Sequence, residues 1–240
     1  MSLGARTAGG RLLVLQFDEE VGPGLLPGWA ATRGIALQVL RPGLGDALPL
    51  HPVADAVVVL GSEEAADDHD VPWIPRVHDW VGDTAAGGTP VLGLCFGAQV
   101  LARALGGAVA RAARPEIGWI AVDSADRELV PPGPWFAWHW DVLTPPPGSL
   151  TLAQNATGVQ AFAVGPHLGV QFHPEVSAGD VPLWLAGSLG EDLRKAGLDP
   201  ARVRRDTAEL GAAAVPSAWA LFDGFAQRAG LPATRTTVTT

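Results

Sequence analysis

A doubly wound α/β domain with a largely parallel central sheet is the fold this chain predicts, and three observations carry it. Four short apolar runs, at 12–17, 35–40, 56–60 and 90–94, fall within the first 95 residues. They are near-continuous rather than alternating, the pattern of strands covered on both faces and hence of a parallel sheet. The stretches between them suit crossover helices: within 73–81, Trp73, Val77, Trp80 and Val81 share one helical face.

Each later element follows from a change in that pattern. From about 117 to 172 the runs shorten and are separated by Pro- and Gly-rich turns. Strands are predicted at 117–122, 135–138, 150–154, 158–164 and 168–172, as a small antiparallel extension that returns to the main sheet. Beyond Val176 the pattern turns helical, at 180–195, 200–210 and 216–229. The clusters Pro131-Pro132-Gly133-Pro134 and Pro145-Pro146-Pro147-Gly148 read as rigid turns, not hinges. One domain over 1–240 is expected, with a core at about 11–176, a helical segment at about 177–230 and a disordered tail at 231–240.

Composition removes several classes of function. Hydrophobic residues are 48% of the 240, ample for a buried core. No apolar run approaches the roughly 18 residues that cross a bilayer. The stretch at 12–17 is too short for a signal-peptide core, and a lone cysteine forms no internal disulfide, so a reducing cytoplasm is the expected compartment. A net charge of −9 argues against nucleic acid as a partner, because phosphate binding needs clustered lysine and arginine.

That lone cysteine is the most informative residue. It sits in Gly93-Leu94-Cys95-Phe96-Gly97, at the end of an apolar run and immediately before the helical pattern of Gln99, Val100, Leu101, Ala102, Arg103, Ala104 and Leu105. A strand, a sharp turn and a helix with a thiol at the apex is the layout of a nucleophile elbow, the glycines being expected to supply the φ values the turn needs. The positive end of the helix dipole favours a thiolate there. The plainer reading is a buried thiol acting as a small hydrophobe.

A cysteine nucleophile needs a base, and the base needs an orienter. Val170-Gln171-Phe172-His173-Pro174-Glu175 offers both just after a predicted strand. His173 and Glu175 flank a proline that restricts the local backbone and can align the carboxylate with the far imidazole nitrogen. Both Cys95 and His173 follow strands at their C-terminal ends, where open α/β sheets gather their sites.

Together, Gly93-Leu94-Cys95-Phe96-Gly97-Ala98-Gln99 and Gly169-Val170-Gln171-Phe172-His173-Pro174-Glu175 resemble the class I (triad) glutamine amidotransferases. Other segments agree with the free-standing, GMP-synthase-glutaminase-like or γ-glutamyl peptidase-like members. These are Leu105-Gly106-Gly107, Pro115-Glu116-Ile117-Gly118-Trp119, Trp138-His139-Trp140-Asp141, Leu152-Ala153-Gln154-Asn155 and Gln160-Ala161-Phe162. The resemblance covers about 12–176 and implies a flavodoxin-like fold without a cofactor.

It also implies roles. Cys95 would attack the side-chain amide of glutamine or a γ-glutamyl donor, His173 would take and return the proton, and Glu175 would orient the imidazole. The oxyanion would be met by the N–H of Phe96 and by one from Gly61-Ser62. Gln99 would contact bound glutamine, with His139, Trp140 and Asp141 beside its amino-acid end. Many family members read Gly-Gly-Pro where this chain has Gly61-Ser62-Glu63. Ser62 would carry a cost if the donor needed positive φ.

Other clusters have plain readings. Asp67-Asp68-His69-Asp70 has metal-ligand chemistry but reads as a solvated acidic loop, so no metal is expected. Trp135, Trp138 and Trp140 are expected to share one strand face, as core or as a wall of the cleft. Arg202, Arg204 and Arg205 read as a solvated helix face. Three functions stay open: amide hydrolysis that feeds ammonia to a synthetase on a separate chain, stand-alone γ-glutamyl hydrolase or peptidase activity, and a silent binding or regulatory role for the fold. Oligomeric state is not readable.

Overall fold

The computed structural model describes residues 9–233. Its first half alternates strand and helix: β1 (Arg11–Leu15), α1 (Leu26–Thr32), β2 (Ala36–Leu40), β3 (Ala56–Val59), α2 (Trp73–Ala86), β4 (Val91–Leu94) and α3 (Phe96–Ala104). The second half adds β5 (Ala108–Ile120), β6 (Asp123–Ser124), β7 (Trp135–Thr144), β8 (Leu150–Gln154), β9 (Val159–Val164) and β10 (His167–Val170). It ends in α4 (Asp180–Ala186), α5 (Ser188–Lys195) and α6 (Pro200–Arg228). Eight strands form one sheet in the order β2-β1-β3-β4-β10-β9-β8-β6, while β5 and β7 pair separately. The five from β2 to β10 are parallel, and β9, β8 and β6 extend the sheet antiparallel. This is the mixed α/β architecture the runs predict, flavodoxin-like as the resemblance implies.

The reason those runs are continuous lies in the core. Leu12 and Val14 of β1 pack with Leu26 and Trp29 of α1 and with Phe222 and Phe225 of α6. Leu13 and Leu15 face the opposite way, toward Val77 and Val81 of α2 and Val100 and Leu101 of α3. Successive side chains point to opposite faces, so a sheet covered on both sides needs every position apolar. A third cluster joins Phe136 and Trp138 of β7 to Val181, Trp184, Leu185 and Val203 of the C-terminal helices.

Several elements differ from the sequence expectation. The runs at 117–122 and 135–138 are the ends of a long ribbon, β5 paired with β7, whose register shifts between Arg111 and Glu116. Most of β5 is exposed or half-buried and so has no apolar run to betray it. The helix expected at 180–195 breaks at Gly187, which is extended. A Cβ there would collide with the Glu20 carboxylate. The helices expected at 200–210 and 216–229 are one, α6, with Pro216 inside it. Buried Ala214, Ala218, Leu221 and Phe222 hold both sides of the proline against the body of the protein, outweighing one lost hydrogen bond.

The tryptophan stripe is also corrected. Trp138 and Trp140 are two residues apart and share a face, but Trp135 is three from Trp138 and turns away to stack on Phe172 at 4.5 Å. Of the tail, residues 234–240 lie outside the described part, and Leu231 is buried in the core. Among the described residues no helix is long and apolar enough to cross a membrane.

Candidate active site

Parallel pairing of β4 and β10 puts the two motifs side by side. Val170 lies opposite Leu94, and the Cys95 N–H donates to the Val170 carbonyl at 2.9 Å. Cys95 thus leaves β4 level with the end of β10. His173 follows three residues later, its N–H bound to the Phe136 carbonyl at 2.8 Å. Cys95 has φ +50 and ψ −109, the only positive φ of a non-glycine among the described residues. Such a conformation costs about 1–3 kcal/mol and persists only where the surroundings enforce it. The flanking glycines do not supply the unusual φ, since neither has a positive value. They permit contact instead: a Cβ on Gly93 would overlap the Gly97 carbonyl, and one on Gly97 would overlap that of Val59.

The His173 imidazole lies between an acid and the sulfur. Its Nδ1 meets Glu175 Oε1 at 2.7 Å, both side chains being buried. The Cys95 sulfur is close enough to the ring to favour its charged form. Gly61 lies against the imidazole, where a Cβ would come within 2.8 Å of Cε1, and Trp184 meets the ring edge-on at 5.5 Å. Burial is the largest single influence on His173 and opposes its charge. The Glu175 carboxylate and Cys95 sulfur together outweigh it, and the pKa is raised to about 10. Imidazolium is therefore the favoured form of His173.

Phe96 and Ser62 both line the cleft with Cys95. Among the described residues neither backbone N–H has a hydrogen-bond acceptor, Phe96 standing at the first position of α3. Ser62 does not have positive φ, so the cost expected there does not arise. Its side chain braces the loop instead. The hydroxyl accepts from the Glu64 N–H at 3.1 Å, while the Glu63 N–H donates to Asp18 Oδ2 at 3.1 Å. Burial raises the pKa of Asp18, although the Glu63 N–H opposes the shift.

The facing wall comes from β7. Trp138, His139, Trp140 and Asp141 all line the cleft, as does Gln99 from α3. His139 has no free ring nitrogen: Nδ1 meets the Asp141 carbonyl at 2.9 Å and Nε2 meets Glu116 Oε2 at 3.0 Å. Glu116 also accepts from Asn155 Nδ2, Thr157 Oγ1 and Gln160 Nε2, at 2.8–2.9 Å. This cluster ties the ribbon to the main sheet. Burial, the largest influence on Glu116, raises its pKa, but these donors overcome it and the net shift is downward. At the mouth Arg111 stacks over Trp140 at 4.7 Å and meets Asp141 Oδ1 at 3.4 Å.

Sequence reasoning assigned no role to Asp18, Arg111 or Trp184, and saw Glu116 and Gln171 only as parts of matching segments. No local pattern marks the first three, whose partners lie far along the chain. The acidic stretch 67–70 sits in the loop between β3 and α2, with His69 Nε2 at 3.4 Å from Arg103.

Known proteins share sequence and fold with this chain. The family model for glutamine amidotransferase class-I matches residues 79–182. The chain is 37% identical over 158 residues to a GMP synthase (glutamine-hydrolysing) of Thermomicrobium roseum, covering 56% of this chain and 29% of that protein. It is 40% identical over 96 residues to a GMP synthase (glutamine-hydrolysing) subunit of Saccharolobus solfataricus, covering 36% of this chain and 51% of that one. The matches thus span about half or less of these relatives' lengths. A glutamine amidotransferase structure from Methylobacillus flagellatus superposes with TM-score 0.83 at 28% identity, over 97% of this chain and 99% of its own. One from Thermotoga maritima superposes with TM-score 0.82 at 23% identity, over 91% and 99%, which speaks to fold. Family model, sequence relatives and fold converge: the chain is similar to the class I glutamine amidotransferases, whose family model matches residues 79–182.

Proposed function

We propose that the chain hydrolyses the side-chain amide of glutamine, or of a related γ-glutamyl donor, through a thioester on Cys95. The observation that carries this reading is the strained Cys95 elbow, beside the buried His173–Glu175 pair and in a cleft that Phe96 and Ser62 also line. In the proposed cycle the Cys95 sulfur attacks the amide carbon, and the oxyanion is met by the N–H groups of Phe96 and of Ser62 in the Gly61-Ser62 loop. His173 gives its proton to the departing ammonia, and Glu175 keeps the ring aligned. Water then adds to the thioester, His173 taking its proton, and glutamate leaves as the C–S bond breaks. Gln99, Trp140 and Asp141 border the space for the amino-acid end, while His139 acts by holding β7 in place.

Ammonia would pass to a separate synthetase, a reading supported by relatives that are named as one subunit of a GMP synthase. The test is ammonia release from glutamine and from γ-glutamyl dipeptides, by the wild type and by Cys95→Ala. Loss of about a thousandfold or more in the variant is expected. Undiminished release by Cys95→Ala would refute the nucleophile. No turnover of any donor, with or without a synthetase, would favour a silent binding role.

A further inference from the structure

The Cys95 sulfur has a second contact, with a residue outside the cleft lining, that the triad does not use. Gln171 is fully buried at the end of β10, and its Nε2 donates to Cys95 Sγ at 3.6 Å. Gln99 Nε2 in turn donates to Gln171 Oε1 at 3.2 Å. The sulfur has one acceptor neighbour as well, the Trp138 carbonyl at 3.7 Å.

We propose that Gln171 is a further catalytic residue, a fixed donor that stabilises the thiolate of Cys95, and that Gln99 is the positioning residue that keeps its amide turned the right way. The proposal rests on Cys95 being the nucleophile. A thiol can give its hydrogen to the Trp138 carbonyl, but a thiolate only accepts, so the charged form needs donors on the sulfur. Gln171 supplies one, and the charge of His173 lies beside the sulfur as well. An amide can present either its nitrogen or its oxygen to the sulfur. With Gln99 Nε2 on Gln171 Oε1, the amide nitrogen is what remains for Cys95. Hydrogen bonds to an ionised acceptor are roughly twice as strong as neutral ones, so the contact favours the thiolate and weakens as the sulfur becomes a neutral thioester. Gln171 does not line the cleft, so substrate does not displace it. Gln99 thereby gains a role distinct from substrate contact.

The single cysteine makes the test unambiguous. The rate of iodoacetamide alkylation is followed against pH for the wild type, Gln171→Met and Gln171→Glu, with ammonia release measured alongside. For Gln171→Met the alkylation profile should move to higher pH by about one unit, and ammonia release near neutral pH should fall roughly tenfold. Gln171→Glu should move the profile further, since a carboxylate there repels the thiolate. Should both variants fail to fold, Gln99→Leu keeps Gln171 in place, and a smaller upward move is expected. Profiles that coincide with the wild type in a folded variant overturn the proposal. The underlying reading fails differently: Cys95→Ala would still release ammonia, whatever the Gln171 variants do.

Discussion

The two walls of the cleft are held by different physical means. The elbow wall is a backbone construction: Cys95 at φ +50 stands between Gly93 and Gly97, each in contact with carbonyl oxygens that leave no room for a Cβ. The β7 wall is a side-chain construction, in which one carboxylate, Glu116, gathers donors from His139, Asn155, Thr157 and Gln160. Backbone packing concentrates its requirement on one or two small residues. A polar cluster distributes it over many, and each is costly to leave unpaired.

The sharpest way to break the first wall is Gly97→Ala. Its Cβ meets the Val59 backbone, which has no rotamer to relieve the overlap, so a loss of about 3 kcal/mol or more is expected in thermal or denaturant unfolding. A transition at the wild-type temperature would show that the elbow has slack. Next in size is Glu116→Ala, which strips the acceptor from four donors. About 2–3 kcal/mol should be lost, with a raised KM for the donor as β7 loosens; unchanged stability and KM would mean that the cluster does not hold the wall.

The contrast extends to pH, with opposite signs. Glu116 is held below its ordinary 4.5, so its contribution is present above that pH and is lost as the pH falls through its lower folded value. His173 is raised from 6.5 to about 10, so its contribution is full below pH 6.5 and disappears as the pH climbs toward 10. The melting temperature should therefore fall on both limbs. Glu116→Gln should flatten the acid limb and Glu175→Gln the alkaline one; an alkaline limb unchanged in Glu175→Gln would mean that the carboxylate does not hold the imidazolium. The smallest effect belongs to Arg111, whose side chain is 62% exposed. Arg111→Ala should change stability by less than about 0.5 kcal/mol and show itself, if at all, in KM.

The same contrast explains what the sequence made legible. The strands at 12–17, 35–40, 56–60 and 90–94 could be read because burial on both faces forces an unbroken apolar run. The elbow could be read because strand, glycine and helix signals are contiguous around Cys95. His173 and Glu175 were visible as a pair two residues apart. The ribbon of β5 and β7 was half hidden, since Arg111, Arg114 and Glu116 carry no strand pattern until their partners across the ribbon are known. Helix α6 was split because a proline is a strong local signal, while the packing that overrides it is distant. Gln171 stood inside the recognised motif, yet its contact with the sulfur depends on the pairing of β10 with β4.

The central claim is that Cys95 carries the acyl group. Acid-quenching the protein during turnover of glutamine, then mass analysis of the peptide bearing Cys95, tests it directly. A γ-glutamyl adduct on that peptide in the wild type, absent in Cys95→Ser together with ammonia release, is the expected result. Continued ammonia release by Cys95→Ser, with no adduct on the wild-type peptide, would contradict it.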